Sequence, residues 1–322
     1  MKKYINLLLI LEAIICILMC VFGGGKVTFV NTLLTFPFKP IAVGLRKLSF
    51  LGGVGNIFSW LLFLLICSIP LIILIAKLIR KRFVLEDILL VVISLIVALA
   101  LYHMININLM ASQMIVPIVE NDALYCVLGA IVYSIIAGYL VIKVIRKFAK
   151  ANKEEVKRYF NNVLFVANVF IVLGSFGISL NELIIKLDNY VNSNFGIYES
   201  LMTTKVFLIM DYAMDVIINL LLIGIIILVQ DLISKINIDN ITDEVVKRAK
   251  LIFSCCIGTI IIHTILSIMY NALQFIFIKK LYFVNGVVSI PIMIIFIVLV
   301  IMLFTQFILE AKKIKEENDM FI

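Results

Sequence analysis

The chain has 322 residues, of which 64% are hydrophobic and 15% charged, with a mean hydropathy of +1.19. This lies far outside soluble globular composition and fits a chain that is mostly embedded in a membrane, with no room for a soluble domain of useful size. The formal net charge of +8 would suit nucleic acid in a soluble protein, but here Lys and Arg flank apolar segments, where they set orientation, so nucleic-acid binding is excluded.

Met1-Lys2-Lys3 precede an apolar run to Phe22 that is too long for a signal peptide and contains Glu12, so it is predicted to remain as the first membrane helix. Between Lys26 and Asn56, Ile41, Leu45 and Leu48 share a face while Arg46 and Lys47 point elsewhere, the pattern of a short interfacial helix. The Gly52-Gly53-Val54-Gly55 turn is not a phosphate loop, because no Lys-Ser or Lys-Thr follows it at the required spacing. A second helix is predicted over 57–78, with Pro70 inside it, and a third over 88–106. The fourth, over 123–142, carries Ala130, Ser134 and Gly138 at four-residue spacing, a close-packing face. A basic extension over 143–159 leads into a fifth helix over 160–180. Asn161, Asn168, Ser175 and Glu182 recur there every seven residues as a polar seam of the kind that joins neighbouring helices. After a polar loop comes a sixth helix over 206–229. A connection over 230–250 follows, in which Thr242-Asp243-Glu244 caps a short amphipathic helix. A seventh helix is predicted over 251–277 and an eighth over 288–309. The fold class is therefore all-α, an integral membrane helical bundle of about eight transmembrane helices.

Placing the amino terminus inside puts 20 of the 28 Lys and Arg in cytoplasmic segments, so both termini are expected in the cytoplasm and the chain in the cytoplasmic membrane. The first outer loop breaks this pattern with Lys26, Lys39, Arg46 and Lys47, which would meet lipid headgroups or an acidic partner. Two groups of four helices, 1-150 and 151-322, have the same orientation. Leu101-Tyr102-His103-Met104-Ile105-Asn106 resembles Met269-Tyr270-Asn271-Ala272-Leu273-Gln274, the expectation for a parallel 4+4 repeat.

Chemistry concentrates on the sixth helix, where Asp211, Asp215 and Asn219 fall at i, i+4 and i+8 on one face that cannot point into lipid. The natural partner is the stripe of Thr259, His263, Ser267, Tyr270 and Gln274 on the seventh helix, with Asn271 beside it. Counting about 1.5 Å per residue sets Asp215 near the depth of His263, Asp211 near Tyr270 and Asn271, and Glu12 near Asn219. A layered polar core of the first, sixth and seventh helices follows, with Asp215 expected to approach His263. Such a core is either an interhelical hydrogen-bond network, the favoured reading, or a relay for protons, cations or a small polar substrate.

Enzyme signatures are missing: two histidines permit no HExxH, and no GxSxG elbow occurs. The six cysteines lie inside apolar runs without zinc or disulfide spacing and read as buried reduced thiols, so no metal or other cofactor is expected. Asn240-Ile241-Thr242 matches a glycosylation sequon but falls on the cytoplasmic side.

The segments KLSFLGGVGNIFSWLLFLLICSIPL and EDILLVVISLIVALALYHMIN, the NALQ of the seventh helix and the terminal ENDMFI resemble a family of uncharacterised polytopic membrane proteins from low-GC Gram-positive bacteria. The second half, through residues 238–248, is distantly similar to bacterial four-helix membrane domains of unknown function. Both resemblances imply a membrane fold and carry no activity, cofactor or catalytic residue with them.

The function expected from the sequence is that of a non-enzymatic accessory or scaffold subunit. It would be in contact with membrane lipids and with a membrane-protein partner or a second copy of itself. The alternative is a secondary transporter or a proton- or cation-coupled permease using the polar core between the sixth and seventh helices. The topology is tested with single cysteines in a cysteine-free background: those at Lys150 and Lys247 should be shielded from an impermeant thiol reagent in intact cells, and one at Asn192 should react. Labelling at Lys150 without lysis would reverse the orientation.

Overall fold

A computed structural model describes residues 2–22, 29–112, 121–192, 198–236, 243–281 and 292–319. Every regular element among them is helical: α1 (Lys2–Phe22), α2 (Phe29–Thr35), α3 (Phe38–Ser49), α4 (Gly53–Ile79), α5 (Leu89–Ile105), α6 (Ile107–Ser112), α7 (Asn121–Lys150), α8 (Lys153–Val172), α9 (Leu180–Asn192), α10 (Tyr198–Lys235), α11 (Asp243–Ile276) and α12 (Ile292–Asp319). Six spans among the described residues are long and apolar enough to cross a membrane. They are α4, the Leu85–Ile105 stretch ending in α5, α7, the Glu154–Tyr190 stretch through α8 and α9, α10, and α11. A shorter apolar helix covers Asn6–Phe22. The protein is thus a helical membrane bundle.

Helices outrun their apolar cores, because helical hydrogen bonding continues past the hydrocarbon wherever side chains favour it. The fourth predicted helix and its basic extension form one rod, α7. The sixth runs from Tyr198, and the short amphipathic helix expected before the seventh is its first turns, in α11. The fifth does not stop at Leu180. A π-helical segment, Leu173–Ser179, leads straight into α9, so the residues expected in a polar loop are helical to Asn192. The glycosylation sequon and the terminal Met-Phe-Ile lie outside the described residues.

The chain forms two compact units, Val27–Asn152 and Met1–Lys26 with Lys153–Ile322. They differ from contiguous halves 1-150 and 151-322 in one element, since α1 packs with the second group.

In the Val27–Asn152 unit, α5 is central. Leu90, Ile93, Val97, Leu101 and Met104 recur at helical spacing and pack with Leu124, Leu128 and Val132 of α7 and Cys67 of α4. Hydroxyls tie the helices where no water is available: Ser94 Oγ donates to the Cys67 carbonyl at 2.6 Å, Ser59 Oγ to Leu45 at 2.8 Å, and Tyr125 Oη to Met104 at 3.2 Å. Gly52, at φ +103°, lets the chain turn from α3 into α4, a conformation open to glycine.

One end of this unit is closed by charge. Asp87, 1% exposed, accepts from Lys77 Nζ, from Tyr139 Oη at 3.0 Å and from the Val84 N–H at 3.1 Å, while Lys77 also donates to Tyr139 Oη at 2.9 Å. Arg146 pairs with Glu86 next to it. Glu86 and Asp87 thus hold the ends of α4, α5 and α7 together, and removing one partner of such a pair typically costs about 3–5 kcal/mol.

The other unit has its own core, with Ile225, Val229 and Leu232 of α10 against Val245, Ala249, Ile252 and Cys256 of α11 and Val298 of α12. It is also closed by charge at one end: Arg248 pairs with the buried Asp231 and with Glu244, and Lys312 with Asp243.

The close-packing residue on α7 is not where the four-residue repeat puts it. A Cβ on Gly138 would meet nothing within 4 Å, whereas one on Gly129 would lie 2.0 Å from the Leu34 carbonyl oxygen of α2. Gly129→Ala should therefore destabilise the purified protein by about 1–3 kcal/mol, read as a lower melting temperature in detergent. Gly138→Ala should leave it unchanged or slightly raised. Equal melting of the two variants would remove the close approach of α2 to α7.

Candidate functional site

The acidic pair of the sixth predicted helix stands on α10 in the unit of residues 1–26 and 153–322. Antiparallel register sets its neighbours. Gln230 Nε2 of α10 donates to the Asn161 carbonyl of α8 at 3.0 Å, and further along the same helices Leu208, Asp211, Tyr212 and Asp215 face Ser179, Glu182, Leu183 and Lys186. These eight residues line an open cleft of about 60 Å³. It holds three carboxylates, Glu182, Asp211 and Asp215, and one cation, Lys186, whose Nζ is 3.8 Å from Glu182 Oε2. Asp215 is exposed along the cleft wall and Asp211 is half-buried.

Basic groups stand on both sides of the acids: Lys186 lines the cleft with both aspartates, and His263 of α11 lies within electrostatic range of Asp215. Asp211 acts on Tyr270, which stacks edge-on against Phe207 at 5.8 Å between ring centroids and shares a side-chain hydrogen bond with Gln274. Among the described residues no hydrogen bond joins Asp215 to His263; their relation is through space.

The first helix of the layered core is placed by its packing. α1 runs along α8, the π segment and α9: Cys20 Sγ donates to the Gly177 carbonyl at 3.3 Å, and Leu9 and Ala13 join Phe165, Val169 and Val172, together with Ile223 and Ile227 of α10, in one apolar cluster. Both sets of contacts extend toward the amino terminus from Cys20 and from Gly177, so the two helices run the same way. Leu9 shares that cluster with Ile223 of α10, which sets Glu12, three residues on, near the level of Asn219. Counted from the Gln230–Asn161 contact, Asn219 falls at the level of Val172.

Glu12 Oε2 is buried with no hydrogen-bond partner, and so are both amide atoms of Asn168, a residue with 0% exposure. Asn161 Oδ1 is in the same condition one end lower. Ser175, the next member of the seven-residue seam, is buried and donates to the Ile171 carbonyl at 2.9 Å. The seam therefore faces the interior, except for Glu182, which joins the cleft. Ser267 and Asn271 are half-buried on α11, away from the cleft lining. Among the described residues no group of three or more His, Cys, Asp or Glu could hold a metal ion.

The sequence places Glu182 in the seam but not beside the acidic pair, and it gives no place to Lys186, because residues 181–205 read as loop. The available signal was the i,i+4 pairing of Glu182 with Lys186 above continued apolar spacing at Leu180, Leu183, Ile184 and Leu187. No protein family, no curated protein and no solved structure matches this chain.

The Lys186 assignment is open to a double-mutant cycle. Lys186→Met leaves two aspartates without their cation and should lower the melting temperature in detergent, and adding Asp211→Asn should recover part of the loss. The expected coupling is about 0.5 kcal/mol or more. Additive effects would mean that Lys186 does not act on the pair.

Proposed function

We propose that this integral membrane protein is a proton- or cation-coupled permease whose path runs through the unit of residues 1–26 and 153–322. One observation carries the reading: inside a membrane unit, a carboxylate oxygen of Glu12 and the whole carboxamide of Asn168 are buried without partners. Each unsatisfied polar group in an apolar interior costs several kcal/mol, so a site like this is sustained by what enters it: water, a proton or a small cation.

The rest of the polar set lines up with that point. The cleft of Glu182, Lys186, Asp211 and Asp215 opens one end, Ser175, Asn219 and Glu12 follow, then Asn168, then Asn161 with Gln230, and Asp231 with Arg248 at the far end. From Asp211 to Asp231 is 20 residues of one helix, about 30 Å, the thickness of the hydrocarbon core. The π segment beside Glu12's helix agrees with this, since such distortions concentrate at functional sites. Glu12 would carry the proton or face the cation, and the Asn168 amide would orient water against it. In this reading the chain lies in the cytoplasmic membrane with both termini inside, as its basic segments favour.

A second reading, a non-enzymatic accessory or scaffold subunit, is favoured by the openness of the cleft. Its exposed acids are placed to receive a basic segment of another membrane protein.

Proteoliposomes with a pH-sensitive dye inside separate the two. The wild-type protein should dissipate a proton gradient, alone or with Na⁺ or K⁺ on one side, and Glu12→Gln should cut that flux at least about tenfold while keeping its elution profile and melting temperature. Absence of flux in the folded wild-type protein under all of these gradients would remove the permease reading.

A further inference from the structure

The Val27–Asn152 unit has a second polar feature, at the end of α4 and α5 opposite the Lys77–Asp87 cluster. Ser49, Asn56, Ser59, Trp60, Phe63, Tyr102, Ile105 and Asn106 enclose a cleft of about 170 Å³, roughly ten times the room one water needs. Its wall is mixed, with hydroxyls and amides beside aromatic rings. Ser59 is committed to the Leu45 carbonyl and Ser49 to Asn56 Oδ1, while Asn56 keeps its amide donors and Asn106 its amide oxygen.

Positive charge stands at the rim. Arg46 Nη1 donates to the carbonyl of Ile105, a cleft-lining residue, at 3.1 Å, and its guanidinium lies 5.9 Å from the Phe50 ring. That bond uses one of five donors. Lys47, exposed, follows it in the last turn of α3. No Asp or Glu occurs anywhere from Ala13 to Leu85, and none in α5, so α3, α4 and α5 supply no acid to neutralise this pair. Lys39, by contrast, has Asp122 at 2.7 Å. Among the described residues, α3, α4 and α5 thus bring Arg46 and Lys47 and no acid to this end of the unit.

Below the cleft, α4 exposes its flank. Leu61, Leu64, Leu65, Ile69 and Ile72 are all exposed, and only 6% of the helix's most apolar window is buried. Trp60 and Tyr102 sit where cleft and apolar flank meet, the depth that amphipathic rings take between hydrocarbon and headgroups. A ligand matching all three parts has an anion, a polar neck and long apolar chains.

We infer that this cleft is a binding site for an anionic glycerophospholipid. Its phosphate lies on Arg46 and Lys47, its glycerol-level oxygens accept from the Asn56 amide, and its acyl chains lie along α4. The site belongs to this unit alone and does not depend on the permease reading of the other.

The test uses delipidated protein in neutral detergent, with melting temperature and native mass spectrometry as readouts and phosphatidylglycerol, phosphatidylcholine or inorganic phosphate added. Phosphatidylglycerol should raise the melting temperature and remain bound as one lipid per chain; phosphatidylcholine and phosphate should do neither. Lys47→Gln, a change at an exposed side chain, should weaken phosphatidylglycerol binding about fivefold, and Arg46→Gln at least as much. The control Arg80→Gln with Arg82→Gln, at the opposite end of α4, should leave affinity unchanged. Equal binding of phosphatidylcholine, indifference to Lys47→Gln, or an equal loss in the control would each overturn the site. Stabilisation by phosphate alone would make it an anion site and remove the lipid.

Discussion

A carboxylate cannot be left alone inside an apolar helical bundle, and that constraint shapes both units of this protein. Asp87 is almost wholly enclosed, and its two oxygens are met by Lys77, Tyr139 and the Val84 amide. Asp231 is met by Arg248. In each unit these bonds fall where helices reverse direction, so the groups that are most costly to bury also decide which helix ends meet. An ion pair of this kind adds little net stability over apolar packing of the same volume, but a mismatched pairing of helices would strand a charge at severe cost. Its contribution is therefore to specify the arrangement.

Between these charged ends the helices have no hydrophobic drive to associate with one another, since lipid is as apolar as they are, and contact depends on close fit and hydroxyl bonds. Gly129 lets α2 lie against α7, and Ser59 and Ser94 bond to carbonyls of α3 and α4. Most of α4 faces outward, which is tolerable in a membrane and would not be in water.

The unit built around α10 departs from this economy. Its polar groups are not all answered by one another: Glu12, Asn168 and Asn161 carry buried atoms without partners, and the cleft at Asp211 and Asp215 holds more acid than base. Among the described residues every buried side-chain atom without a partner lies in this unit, Gln274 Oε1 of α11 included, so the open set is informative. It gives the permease reading its physical content, and it separates this unit from the other, where the unanswered charge is positive and faces the rim of a cleft.

The sequence by itself determined that the chain is a helical membrane bundle, because runs of apolar residues long enough to cross hydrocarbon permit no other backbone solution in a lipid setting. It also determined that Asp211 and Asp215 share a face, since helical periodicity alone dictates that, and that Asn168 and Ser175 point inward along a seven-residue seam. It did not determine helix length where polarity rises. Residues 181–192 read as loop on hydropathy, yet the helix persists through them and brings Glu182 and Lys186 to the acidic pair. The helices against which α1 packs, the choice of Gly129 over Gly138, and the pairing of Asp87 with Lys77 and Tyr139 were decided only by the tertiary structure. Each depends on which helix faces come together, and hydropathy, which is nearly uniform around these helices, carries no record of that choice.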